Sequence, residues 1–186
     1  MTYPANRSAL ILIDIQESFR QMPFWSETDL PAFREAVLAL DAGCRARDVP
    51  VVHIYHVGAA GPFTEASGHV RGLDWLPGAP AVTFHKHTHN AFSDTGLDLW
   101  LRRRDINHLI IAGIRTEQCC ETTTRVGADM GYSVDFVTEA TLTFPMTHAG
   151  SGRTYSADEI KAHTELVLAG RFARIASAAE ALDALE

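Results

Sequence analysis

Three residues in this sequence could together do nucleophilic and proton-transfer chemistry: an acid, Asp14, an amine, Lys86, and a thiol, Cys119. Cys119 follows an apolar run, residues 108–113, that suits a buried strand, and Gly113 closes that run. Thr116 reads as the N-cap of the next helix with Glu117 just inside it, so Cys119 falls in the first helical turn. A thiolate there faces unpaired backbone N–H groups and the positive end of the helix dipole, which lower a cysteine pKa. The alternative is that the adjacent Cys119 and Cys120 are both small buried hydrophobes. Asp14 ends the apolar run of residues 8–14, at the carboxyl end of a buried strand, where open α/β sheets place ligands; alternatively it caps the following turn. Lys86 could hold its ammonium over the same edge or lie solvated on the surface. Around it, His85, His87 and His89 alternate onto one face of an extended segment, and three imidazoles on one side admit a zinc site.

The elements that must position these groups follow from hydrophobic period. In residues 27–47, Leu30, Phe33, Val37, Leu38 and Leu40 recur at near-helical spacing, with Asp29 before Pro31 as a start signal. Residues 50–57 read as a second buried strand, 81–90 as a third strand and its exit, 94–103 as a helix and 109–113 as the fourth strand. A helix over 117–130, a fifth strand over 132–137, a helix over 156–168 opened by Ser156 and Glu159, a short strand over 171–175 and a helix over 177–186 complete the series. Helical crossovers between strands predict an α/β fold: a three-layer α-β-α sandwich with a mostly parallel, Rossmann-like sheet of about six strands. One domain spans residues 1–186. Asp14, Lys86 and Cys119 then follow the first, third and fourth strands and converge on one sheet edge. Gln16 and Phe19 sit over that edge too, and the long loop of residues 58–78, which includes His69, Arg71 and Trp75, is expected to wall a pocket.

Composition narrows the function further. Apolar residues make up 46% and charged residues 21%, as in an ordinary globular protein. The formal charge of −7, with 16 Lys and Arg, argues against a nucleic-acid or anionic-membrane surface. Three cysteines, two of them adjacent, cannot form a disulfide framework and fit a reducing compartment. With neither a leader pattern nor a membrane-length apolar run, the expected location is the cytoplasm. No glycine-rich phosphate motif supports a nucleotide-binding reading.

The separated motifs together resemble the isochorismatase-like cysteine hydrolases, a superfamily that includes nicotinamidases and N-carbamoyl amidohydrolases. Asp14, Gln16 and Phe19 are similar to an Asp-x-Gln-x-x-Phe opening, and Lys86 with Asn90, Phe92 and Thr95 to a lysine segment. Residues 111–119 are similar to the motif Gly-Ile/Val-x-Thr-x-x-Cys. The resemblance implies a Cys119–Asp14–Lys86 triad that hydrolyses a small amide, ureide or N-carbamoyl compound through a thioester, with no cofactor and no metal. It implies a cis peptide at Ile114–Arg115, and backbone N–H groups of Arg115 and Cys119 facing the oxyanion. Cys120 and Cys44 become packing residues. Metal-binding nicotinamidases carry an Asp-x-His pair after the second strand, whereas Val51 precedes His53 at that spacing and no aspartate lies near His56, so nicotinamide is a poor expectation. Isochorismate cleavage, a vinyl-ether hydrolysis, does not need the cysteine, and Cys119 therefore favours a C–N bond. Arg115 stands where the family often has a small or apolar residue. It is expected to pair with a substrate carboxylate, the alternative being an ion pair to Glu117, Glu121 or another chain. The expected substrate-binding set is Gln16, Phe19, Trp25, Trp75, His87, Asn90 and Arg115. The remaining alternatives are an isochorismatase-type vinyl-ether hydrolase, a zinc hydrolase using His85, His87 and His89, and a non-catalytic binding protein. The expected partner is a small-molecule substrate, and the apolar segment of residues 142–146, with the family's habit, implies a homodimer or tetramer.

Overall fold

The computed structural model describes residues 2–186 and builds one sheet around the two longest apolar runs. Strands β1 (Ser8–Ile13), β2 (Val51–His56), β3 (Val82–Lys86), β4 (His108–Ile114) and β5 (Ser133–Leu142) follow one another along the chain. A separate exposed hairpin pairs β6 (Met146–Thr147) with β7 (Thr154–Tyr155), and β8 (Arg174–Ile175) returns to the main sheet. The sheet order is β3-β2-β1-β4-β5-β8, and every pairing in it is parallel. β1 and β4 are buried at every position, because strands covered on both faces need no polar alternation.

Alternate side chains serve opposite layers. Leu10, Leu12, Ile110 and Ala112 join Phe33, Val37 and Leu40 of α1 (Leu30–Arg45) in one core. Ala9, Ile11, Ile13, Leu109 and Ile111 join Leu97 and Leu101 of α2 (Leu97–Arg102) in the other. α3 (Glu121–Asp129) and α4 (Ala157–Leu168) add to the second layer through Val126 and Leu168, and α5 (Ala178–Asp183) adds Ala178 and Ala181 to the first. The result is the three-layer sandwich.

The structure departs from the sequence reading where tertiary partners extend or shorten an element. β5 runs to Leu142 rather than Val137, because Thr141 and Leu142 pair with Gly113 and Ile114 after a register shift in β4. Residues 142–146 are consequently no continuous exposed apolar patch: Leu142 and Phe144 are buried in the α1-side core, and only Pro145 and Met146 are exposed. α2 starts at Leu97 rather than near Asp94, since Asp94 accepts the His87 N–H at 2.7 Å and holds the preceding turn. α4 opens as its capping pair indicates. Ser156 Oγ accepts the Glu159 N–H at 3.1 Å, and the Glu159 carboxylate accepts the Ser156 N–H at 2.9 Å. Ser156→Ala is expected to lower stability by about 1 kcal/mol. An unchanged midpoint of urea unfolding would show that the cap contributes nothing.

Candidate active site

β1, β3 and β4 deliver one polar group each to the carboxyl edge of the sheet. Asp14 is the first residue past β1, at φ +53°, a left-handed conformation that aspartate tolerates better than most residues, and its N–H still donates to the Ile54 carbonyl at 2.8 Å. Lys86 is the last residue of β3 and is fully buried. Its Nζ donates to Asp14 Oδ2 at 2.8 Å, to the Thr88 carbonyl at 3.1 Å and to Cys119 Sγ at 3.4 Å, and it lies 3.4 Å from His56 Nδ1. Asp14 Oδ1 has no hydrogen bond of good geometry, and the Cys119 thiol is the donor close enough to act on the carboxylate.

These contacts set the protonation of the three groups. Burial pushes the Asp14 carboxyl above the ordinary carboxylate range, and the Lys86 ammonium beside it pulls back only part of that shift. For Lys86, burial disfavours the ammonium, but Asp14 and the Cys119 sulfur outweigh it and hold the amine above its usual range. Burial and the Asp14 charge together push the Cys119 thiol far up, against the pull of Lys86. This reverses the lowered thiol pKa expected from a helix N-terminus, because Cys119 is only 7% exposed and shares its site with a carboxylate. At neutral pH Lys86 is therefore an ammonium and Cys119 a thiol. Cys120 and Cys44 are fully buried, and burial lifts Cys44 to about 12, as suits packing residues.

The turn that carries Cys119 is wider than an ordinary helix start. The Ile114–Arg115 peptide is cis, and Thr116–Cys120 form a π-helical turn leading into α3. The Arg115 carbonyl accepts the N–H groups of Gln118 and Cys120, each at 3.2 Å, on either side of Cys119. Thr116 is not a side-chain N-cap. Its hydroxyl bonds Thr141 Oγ1 at 2.8 Å and pins the turn to β5.

Above the three groups lies a cavity of about 280 Å³, a size that suits a small metabolite, with Cys119 and Asp14 in its lining. Of the expected substrate-binding set, Phe19 and Arg115 line it. The other five do not, each for a packing reason. Gln16 uses its whole amide to tie β1 to β2, accepting the His56 N–H at 2.7 Å and donating to the His56 carbonyl and Ser18. Trp25 packs on Phe144, and Trp75 packs edge-on against Phe33 beneath Arg34. His87 bonds Asp94, and Asn90 closes a turn by accepting the N–H groups of Phe92 and Ser93. In their place stand Phe24, His56, Gly58, Ala60, Phe63, His89 and Gln118. The loop of residues 58–78 thus walls the cavity through its first six residues, while Trp75 belongs to the far side of the α1 layer.

The three histidines of the zinc reading do not converge. β3 ends at Lys86, so His85 alone lies in the strand, against Tyr55, while His87 turns to Asp94 and His89 faces His56 at 6.5 Å between ring centroids. Among the described residues no group of three or more His, Cys, Asp or Glu could hold a metal ion.

The fold is a three-layer α/β sandwich whose all-parallel sheet carries, at its carboxyl edge, a cavity lined by Cys119 and Asp14 with the buried Lys86 ammonium bonded to both. Residues 8–168 match the family profile described as Isochorismatase domain, and the chain belongs to that family of hydrolases. It is 29% identical over 153 residues to Nicotinamidase 3 of Arabidopsis thaliana, covering 74% of each chain. Over 151 residues it is 28% identical to streptothricin hydrolase of Streptomyces noursei, covering 76% of this chain and 51% of that one. Among solved structures, an isochorismatase-family protein from Chromobacterium violaceum superposes with a TM-score of 0.89 at 28% identity, over 99% of this chain and 96% of that one.

Proposed function

We propose that this hydrolase cleaves the C–N bond of a small amide, ureide or N-carbamoyl compound, with Cys119 as nucleophile, Asp14 as proton carrier and Lys86 as the fixed cation. The observation that carries the reading is one buried ammonium touching both the carboxylate and the sulfur. The thiol proton passes to Asp14, whose raised pKa suits it to receive a proton, while Lys86 holds the negative charge that appears on sulfur. Sulfur bonds to the carbonyl carbon, and the oxyanion faces the backbone N–H groups of Arg115 and Cys119. When the tetrahedral centre collapses, the C–N bond breaks and Asp14 gives its proton to the departing nitrogen, leaving a thioester on Cys119. Water then gives a proton to Asp14 as its oxygen attacks the thioester. The C–S bond breaks, sulfur recovers the proton, and an acid or carbamate leaves.

Relatives named nicotinamidase, streptothricin hydrolase and ureidoacrylate amidohydrolase support this bond class. Free Cys44, Cys119 and Cys120 support a reducing compartment such as the cytoplasm, and among the described residues no helix is long and apolar enough to cross a membrane. The test is ammonia release from a panel of small amides, ureides and N-carbamoyl compounds, with Cys119→Ser as the blank. Release should fall by about 10³-fold or more in the variant. Release at the wild-type rate from Cys119→Ser would exclude the thiol as nucleophile.

A further inference from the structure

The reading above leaves open what lies at the non-reacting end of the substrate, and Arg115 bears on it. Arg115 is 8% exposed and lines the same cavity as Cys119. Its guanidinium carbon lies 5.0 Å from the Phe24 ring centroid and 5.7 Å from that of Phe144, so two aromatic faces restrict its plane. The contacts of its head group are at Nη2: Glu117 Oε1 at 3.1 Å and the Phe144 carbonyl at 3.5 Å. Nε is buried with no hydrogen-bond partner. Glu117 does not supply one, because Thr143 tethers its other oxygen, Oε2, at 2.6 Å. The Glu117 carboxylate thus offsets the arginine charge and leaves Nε without an acceptor.

A buried N–H without an acceptor is unfavourable unless a ligand brings the acceptor, and guanidinium selects a charged, planar one. Three phenylalanines share that wall. Phe19 and Phe63 meet edge to face at 5.0 Å, and Phe24 lies 6.5 Å from Phe19. We propose that the substrate carries a carboxylate at the end away from the scissile bond, held by Arg115, with a flat unsaturated or aromatic body against Phe19, Phe24 and Phe63. The class is a small amide or N-carbamoyl acid. Which of its bonds is cut rests on the hydrolytic reading above; the seat for the carboxylate does not.

The test is titration calorimetry on the wild-type protein with benzoate and cinnamate against benzyl alcohol and cinnamyl alcohol. The acids should bind about tenfold or more tightly than the alcohols, and the ratio should fall to near unity in Arg115→Gln. The double variant Arg115→Gln/Glu117→Gln removes both charges together, so no lone buried charge is left to compromise folding. It should also lose the preference. Equal binding of acids and alcohols, no binding of the acids, or a preference that persists in both variants would overturn the proposal. Calorimetry reads binding without turnover. A preference for acids in a protein that releases no ammonia refutes only the hydrolytic reading; hydrolysis of neutral amides with no such preference refutes only the carboxylate.

Discussion

Lys86→Met should lower hydrolysis by about 10³-fold or more and remove about 3 kcal/mol of stability at pH 7. Both losses come from Asp14. In the wild type its carboxylate is fully buried and its one side-chain hydrogen bond of good geometry comes from Lys86 Nζ at 2.8 Å. Methionine keeps the approximate volume of the stem but leaves an uncompensated buried charge, which protonates instead. In the proposed mechanism a protonated Asp14 cannot accept the Cys119 proton, and the sulfur loses the cation 3.4 Å away, so the nucleophile is not formed.

The pH dependence has a definite sign. Burial already holds the folded Asp14 pKa above its unfolded value, and removing Lys86 takes away the main force that lowers it. A group raised on folding contributes its stability below the unfolded pKa and loses it as pH rises through the folded one. The deficit of Lys86→Met is therefore largest at neutral pH and shrinks as the solution is acidified towards the ordinary carboxylate range. Urea unfolding at about pH 7 and about pH 5 reads this directly. Asp14→Asn/Lys86→Met should regain most of the stability and none of the activity. If Lys86→Met unfolds at the wild-type midpoint at both pH values, or retains activity within about tenfold, the pair is not coupled as the contacts imply.

The sheet and the convergence of Asp14, Lys86 and Cys119 are legible in the sequence for one reason. Residues 9–13 and 109–114 carry no polar side chain, a pattern tolerated by strands covered on both faces, and Asp14, Lys86 and Cys119 stand at a strand end or in the turn that follows one. Topology then brings them together. The cavity wall is not legible in the same way, because residue type does not say which side of a loop faces inward. Trp25 and Trp75 look like ligand-binding aromatics, yet Phe144 and Phe33 take them into packing. Phe24 and Phe63 carry no stronger signal, but they line the cavity. His56, two residues after Ile54 in the same strand, could have been placed by alternation from the end of β2. The direction of the Cys119 shift depends on burial depth and on the neighbouring carboxylate, which no one-dimensional pattern contains.

Gly113→Ala is expected to lower stability by about 3–4 kcal/mol, or to abolish soluble folding. Gly113 has φ +140°, and a Cβ built on it would lie 2.0 Å from the Ile13 carbonyl oxygen and 2.8 Å from the Ile13 carbonyl carbon and nitrogen. Those atoms are the backbone of the paired strand, so no rotamer change relieves the contact; β1 and β4 must separate where Ile13 pairs with Gly113. Gly131 isolates the steric part of this effect, since its φ is +92° and nothing lies within 4 Å of an added Cβ. Gly131→Ala carries only the conformational penalty, about 1 kcal/mol. For a chain of this length the melting temperature should fall by roughly 10 °C in Gly113→Ala and by a few degrees in Gly131→Ala. The same separation reaches the site, because Asp14 directly follows Ile13 and the turn to Cys119 leaves β4 just after Gly113. Soluble Gly113→Ala protein should therefore lose about 10²-fold in kcat/KM, the effect of a displacement near 1 Å between reacting groups, while Gly131→Ala keeps its rate. Equal melting shifts in the two variants would show that the strands absorb the methyl group and that the close approach at Gly113 does not hold Asp14 against Cys119.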